Sequence, residues 1–112
     1  MALLRSLDLS VNNIRRLRAG TFADSSRLRN LYLSRNPLEE LESGSLHGLT
    51  SLRRLSLAFV PSPTFAAAGD AFRDLVSLTA LDADSSPSVV AALLGSDEIL
   101  SSLGSVSASL SR

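Results

Sequence analysis

The chain contains no cysteine, no lysine and no tryptophan. Without cysteine there is no disulfide framework and no cysteine-rich cap. Without lysine all basic charge rests on arginine, which reflects coding composition more than chemistry. Lys+Arg and Asp+Glu each number 11, so the formal charge is zero and an electrostatic nucleic-acid binder is disfavoured. No apolar run reaches membrane-spanning length, and no charged-apolar-small leader precedes the first ordered pattern. There is no Asn-x-Ser/Thr acceptor, no phosphate-cradling glycine loop and no zinc-ligand spacing. At 112 residues the chain makes one domain at most.

What the chain does have is a leucine lattice that repeats every 24 residues. Leu4, Leu7 and Leu9 are followed by Leu28, Leu31 and Leu33, then by Leu52, Leu55 and Leu57. Asn12 maps to Asn36, Ile14 to Leu38, Leu17 to Leu41, Gly20 to Gly44 and Phe22 to Leu46. A fixed period of this length means stacked units. Leu31 and Leu33 alternate with Tyr32, a strand signal of period two. One short strand cannot bury its own apolar face, but stacked units bury it together. Each buried leucine contributes on the order of 1.5–3 kcal/mol. Asn12 and Asn36 close the strands, where a buried amide can bond the backbone of adjacent turns; the alternative is a solvated turn asparagine. Phe22 and Leu46 should form an apolar spine on the return path.

The run Leu4-Arg5-Ser6-Leu7-Asp8-Leu9-Ser10-Val11-Asn12-Asn13-Ile14-Arg15-Arg16-Leu17 resembles the leucine-rich repeat family in its 24-residue typical class. So does Leu28 through Leu41, and the resemblance extends over residues 3 to about 86. It implies an α/β repeat, a short right-handed solenoid with a parallel concave sheet and an irregular convex side. It also implies an extracellular or cell-surface parent, since the class includes Toll-like receptors and small matrix proteoglycans. Units are expected near 4–27, 28–51, 52–77 and 78–86 onward, with a degenerate repeat, a short helix and a frayed tail over 87–112.

Unit three departs from the lattice after Leu57. Val60 stands where the ladder asparagine belongs, and Pro61 and Pro63 remove backbone donors. Phe65 is expected in the Leu17/Leu41 slot. Phe72 arrives two positions late, so a two-residue bulge is expected between Phe65 and Phe72. Unit four has Ala83 for its third leucine and Ser86 for the asparagine. Such irregularity resembles Toll-like receptor ectodomains more than proteoglycans. Ser86 with Pro87 should cap and start a helix carrying Val90, Leu93, Leu94 and, less neatly, Asp97. Leu100 and Leu103 could open a fifth, degraded unit, with residues 101–112 frayed.

The period also turns linear spacing into columns of charge. Arg15, Arg16 and Arg18 lie 24 residues before Glu39, Glu40 and Glu42, so three inter-repeat ion pairs are expected. Arg5, Arg29 and Arg53 form a second column that nothing opposes, a candidate anion site or simply solvated side chains. Outward strand residues line the concave face: Asp8, Ser10 and Val11; Tyr32, Ser34 and Arg35; Arg54, Ser56, Ala58 and Phe59; Asp82, Asp84 and Ser85. Among these, Asp8, Tyr32, Arg35, Arg54, Phe59, Asp82 and Asp84 are the candidate ligand contacts. Tyr32, Arg35 and Phe59 have the chemistry that anchors interfaces. Asp82 and Asp84 share a strand face, but a calcium loop would need a glycine and a bidentate glutamate that are missing. His47, the sole histidine, falls on the convex side away from Asp8 and Asp82, which argues against a catalytic triad. No catalytic residue, metal or cofactor is expected.

The function expected is protein or ligand recognition by a fragment of a receptor ectodomain of Toll-like type, which by resemblance means innate immune recognition and signal transduction. The partner is a protein or other macromolecule on the concave face. A free-standing intracellular scaffold, consistent with the missing cysteine, is the alternative, as is a truncated gene product. The first reading places the parent outside the cell, the second in the cytoplasm if the ends are genuine. Uncapped ends are expected to self-associate.

Overall fold

A computed structural model describes residues 4–61, 65–95, 97 and 107–109. Each repeat contributes one three-residue strand: β1 (Ser6–Asp8), β3 (Asn30–Tyr32), β5 (Arg54–Ser56) and β7 (Ala80–Asp82). All are parallel, with Leu7, Leu31, Leu55 and Leu81 in one row. A further strand, β8 (Ser107–Ser109), adds to β7 and completes a sheet of order β1-β3-β5-β7-β8. It lies within the stretch expected to be frayed. Leu100 and Leu103, the expected opening of a fifth unit, lie outside the described residues.

On the return path two-residue strands form a second parallel sheet: β2 (Arg16–Leu17), β4 (Glu40–Leu41) and β6 (Ala66–Ala67). The convex turns repeat as faithfully as the strands. In unit one the N–H groups of Thr21, Ala23, Ser25 and Leu28 each donate to the carbonyl three residues earlier. Ser45, His47, Leu49 and Leu52 do the same in unit two, and Ala71, Arg73, Leu75 and Leu78 in unit three. These turns satisfy backbone groups that the sheets cannot reach. They also hold Phe22, Leu46 and Phe72 in the core, each 1% exposed, as the expected spine.

The register corrects two expectations in unit three. Leu41 pairs with Ala67, so Ala67 and not Phe65 occupies the Leu17/Leu41 slot. Phe65 is buried in the same core two residues earlier. The two-residue shift is already complete at Ala66, which pairs with Glu40. The extra length therefore lies before Ala66, not between Phe65 and Phe72.

Helix α1 (Pro87–Leu94) has Pro87 at its first turn, as expected. Ser86 precedes it, but its hydroxyl makes no capping bond. That hydroxyl accepts the Val60 N–H at 2.8 Å and donates to Leu57 O at 2.7 Å. It is spent on the ladder to unit three. The helix buries Val89, Val90 and Leu93 and packs against β6, taking the place of another return strand. Asp97 is exposed.

Candidate functional site

The concave face is built by the alternation of each strand. With the leucine row turned inward, Ser6, Asn30, Arg54 and Ala80 form one outward row. Asp8, Tyr32, Ser56 and Asp82 form the next. Ser56 and Ala58 do not offer surface as expected, because both are buried. The Ser34 hydroxyl bonds that of Ser56 at 2.6 Å, closing over it.

At the end of each strand the backbone enters the left-handed region. Val11, Arg35, Phe59 and Ser85 have φ of 56°, 59°, 56° and 55°. None is glycine or asparagine, so the sequence carries no local signal of this conformation. At Val11, Arg35 and Phe59 it persists because the next unit holds it. The N–H of Val11 donates to Ser34 O, that of Arg35 to Ala58 O and that of Phe59 to Asp84 O. A β-branched residue such as Val11 is especially costly there. This turn brings Arg35 and Phe59 together, with the guanidinium carbon 4.5 Å from the ring centroid. Phe59 remains 45% exposed, and Tyr32 is half-buried one row away. The three expected anchors thus occupy neighbouring repeats at the strand ends.

Carboxylates lie toward both ends of this surface. Asp8 Oδ1 accepts the Ser10 N–H at 2.9 Å, and Asp82 Oδ1 accepts the Asp84 N–H at 3.1 Å. The same local motif therefore recurs in units one and four. The backbone N–H of Ser10, and then its hydroxyl, hold the Asp8 carboxyl below its ordinary 3.8. Asp82 and Asp84 are half-buried, but they do not share a strand face as expected, because β7 ends at Asp82 and Asp84 lies in the turn beyond it. Among the described residues no three metal-ligating side chains converge.

Of the three expected Arg–Glu pairs one forms, Arg16 Nε to Glu40 Oε1 at 3.0 Å. These two are direct partners in the β2–β4 ladder. Residues 15 and 39, and 18 and 42, flank that two-residue ladder and are not ladder partners. Their backbones remain joined, with the Glu39 N–H donating to Arg15 O at 2.6 Å. Arg5, Arg29 and Arg53 are exposed and stacked through their backbones at the flank where the strands begin. Sequence reasoning missed one pair: His47 Nδ1 lies 2.5 Å from Asp74 Oδ2 on the convex side. Their separation of 27 residues hides the pair from a 24-residue template; even the 26-residue offset of unit three sets His47 level with Arg73, one residue before Asp74.

A parallel sheet of repeated strands with an internal asparagine ladder defines a solenoid whose open face is available for binding. The leucine-rich repeat family model matches residues 2–59, just over half of the chain, and the chain belongs to that family. Among solved structures, 96% of the chain superposes on Drosophila Toll in its complex with Spatzle, with a TM-score of 0.73 at 18% identity. That complex is described as a molecular hub in development and innate immunity. At this identity the likeness is one of fold. Human 5T4, the trophoblast glycoprotein also called Wnt-activated inhibitory factor 1, matches over 99% of the chain with a TM-score of 0.69 at 26% identity. The chain spans 14% of the first of these and 52% of the second. No curated protein matches the sequence. The family and fold are those of a protein-interaction module. No helix among the described residues is long and apolar enough to cross a membrane.

Proposed function

We propose that the chain is a non-enzymatic recognition segment of a leucine-rich repeat receptor ectodomain of Toll-like type, engaging a protein on its concave face. The observation that carries this reading is the Arg35–Phe59 stack beside Tyr32, presented on strands whose backbone is already bonded between repeats. Stacking orders a long side chain before binding, so less entropy is lost when a partner arrives. Arginine and aromatic side chains are the groups that most often carry interface energy. Asp8 on one side, and Asp82 and Asp84 on the other, favour a partner with basic groups flanking an apolar centre. Arg54 belongs to the adjacent row. Extracellular placement accords with the likeness to Toll and 5T4.

The test is a photo-crosslinking residue placed at Tyr32 on the concave face or at Thr50 on the convex side. Both proteins are then exposed to secreted and cell-surface proteins. A discrete adduct from position 32 alone, lost when Arg35→Glu is added, is the expected result. Equal labelling from both positions overturns the reading. Sequencing the transcript outward from both ends tests the receptor assignment separately, through a leader, cysteine-rich caps and a membrane span.

A further inference from the structure

The flank where the strands begin gathers arginines that no carboxylate among the described residues answers. Arg5, Arg29 and Arg53 stand immediately before β1, β3 and β5. The backbone fixes their column: the Arg29 N–H donates to Arg5 O at 2.7 Å, and the Arg53 N–H to Arg29 O at 2.7 Å. The column ends in unit four at Thr79, whose N–H and hydroxyl both donate to Arg53 O. A second column runs beside it, with Arg27, Ser51 and Ser77 in equivalent positions. Ser51 is short where Arg27 is long, and this difference opens a recess. The recess measures about 220 Å³ and is lined by Arg5, Arg27, Arg29 and Ser51.

Arg5, Arg27, Arg29 and Arg53 are all exposed, and none makes an ion pair with a described residue. The chain as a whole is neutral. The cluster is therefore a separation of charge within a balanced protein. Like charges held one strand apart, roughly 4.8 Å, repel each other unless anions lie between them.

We propose that this flank is a docking strip for a linear sulfated polysaccharide, with one sulfate ester seated among Arg5, Arg27 and Arg29 and the next toward Arg53. The guanidinium fork matches a tetrahedral oxyanion through paired N–H donors, and the Ser51 hydroxyl supplies another. The recess is smaller than the roughly 300–1,000 Å³ typical of organic-ligand pockets, so it takes a single oxyanion group of a larger chain. No aromatic lines it, which removes the stacking that holds single-stranded nucleic acid. The carbonyls of Arg5, Arg29 and Arg53 are already bonded to the following unit, so the column offers a peptide no open backbone acceptors for β-strand addition. What remains is a ligand held by its repeated anionic groups alone. Repetition along the solenoid axis matches a polymer lying across the strand starts. The strip is independent of the concave anchors.

The test measures binding of the whole chain to a sulfated heparin-type oligosaccharide over a salt series. Its desulfated counterpart, a phosphoserine peptide and single-stranded DNA serve as competitors. The wild type should bind the sulfated form selectively. The Arg27→Gln/Arg29→Gln pair should lose tenfold or more in affinity, with a salt slope shallower by about one per arginine removed. Arg15→Gln/Arg18→Gln, on the other flank, should bind as the wild type does. In the unmutated chain, inorganic sulfate should shift the side-chain Nε–H resonances of Arg27 and Arg29 ahead of those of Arg15 and Arg18. The proposal is overturned by equal losses in both double variants, by uniform resonance shifts, by retained affinity for the desulfated form, or by tighter binding of peptide or DNA.

Discussion

Asn36 Oδ1 accepts the N–H groups of Asn12 at 3.0 Å and Ile14 at 3.2 Å, while Nδ2 donates toward Leu9 O at 2.9 Å and Leu33 O at 3.0 Å. One wholly buried amide thus joins two repeats. Asn12 occupies the same register but is exposed, and its Nδ2 reaches carbonyls of its own turn only. The period marked the two as equivalents, and only the stacking distinguishes them. Asn36→Ala strands several buried backbone groups at about 1–3 kcal/mol each. Its chemical denaturation should show a loss above about 3 kcal/mol, while Asn12→Ala stays near 1 kcal/mol; equal losses would refute the ladder. Asp8 supplies a pH dependence. Its folded pKa lies below the unfolded value because Ser10 donates to the carboxylate. Its contribution to stability is therefore complete above the ordinary carboxylate range and is lost as pH falls through the folded value. A carboxyl titration followed by NMR should give Asp8 a midpoint below 3.8, and Asp8→Asn should flatten stability against pH in that acidic window.

At the scale of elements, the strands were legible and the joints between them less so. The leucine triplets placed β1, β3 and β5 because a two-residue alternation has one buried face. Ser86 was legible twice over, as a ladder residue and as a helix cap, and the two roles compete for one hydroxyl. The ladder wins because the Val60 N–H and Leu57 O would otherwise be buried without partners. The left-handed turns at Val11, Arg35, Phe59 and Ser85 were illegible, since their usual residue signals are absent, and the first three are held by bonds to the following repeat. The Arg–Glu flank needed actual ladder positions, which spacing alone does not supply. Glu40→Gln should cost no more than about 1 kcal/mol, as befits an exposed pair. Glu39→Gln and Glu42→Gln should cost less than Glu40→Gln in the same denaturation assay; three equal losses would restore the triple pairing.

For the whole molecule, a continuous core runs from Leu17 to Leu93. It thins at the outer face of unit one. Leu4 is 38% exposed and Val11 72%, and Leu7, Leu9 and Ile14 are only half-buried. In a repeat protein stability is nearly a sum over units and the interfaces between them, so a few units with one thin end sum to little. The 112-residue chain by itself is expected to melt broadly, within or below the roughly 45–65 °C of mesophile domains. Its midpoint should rise with concentration as apolar end faces meet. A sharp transition above about 65 °C in a strictly monomeric sample would contradict this.

The amino-acid sequence by itself determined the repeat, the leucine rows, the phenylalanine–leucine spine and the faces on which each charged column falls. These follow from periodicity, and periodicity survives translation along the solenoid axis unchanged. The tertiary structure decided what depends on the contact of one unit with the next. It placed the extra residues before Ala66, set Ala67 opposite Leu41, and gave Ser86 to the ladder. It also stacked Arg35 on Phe59 and opened the recess above Ser51. Each depends on where a neighbouring repeat puts a donor, a ring or an empty space, and a one-dimensional period carries no coordinate for that.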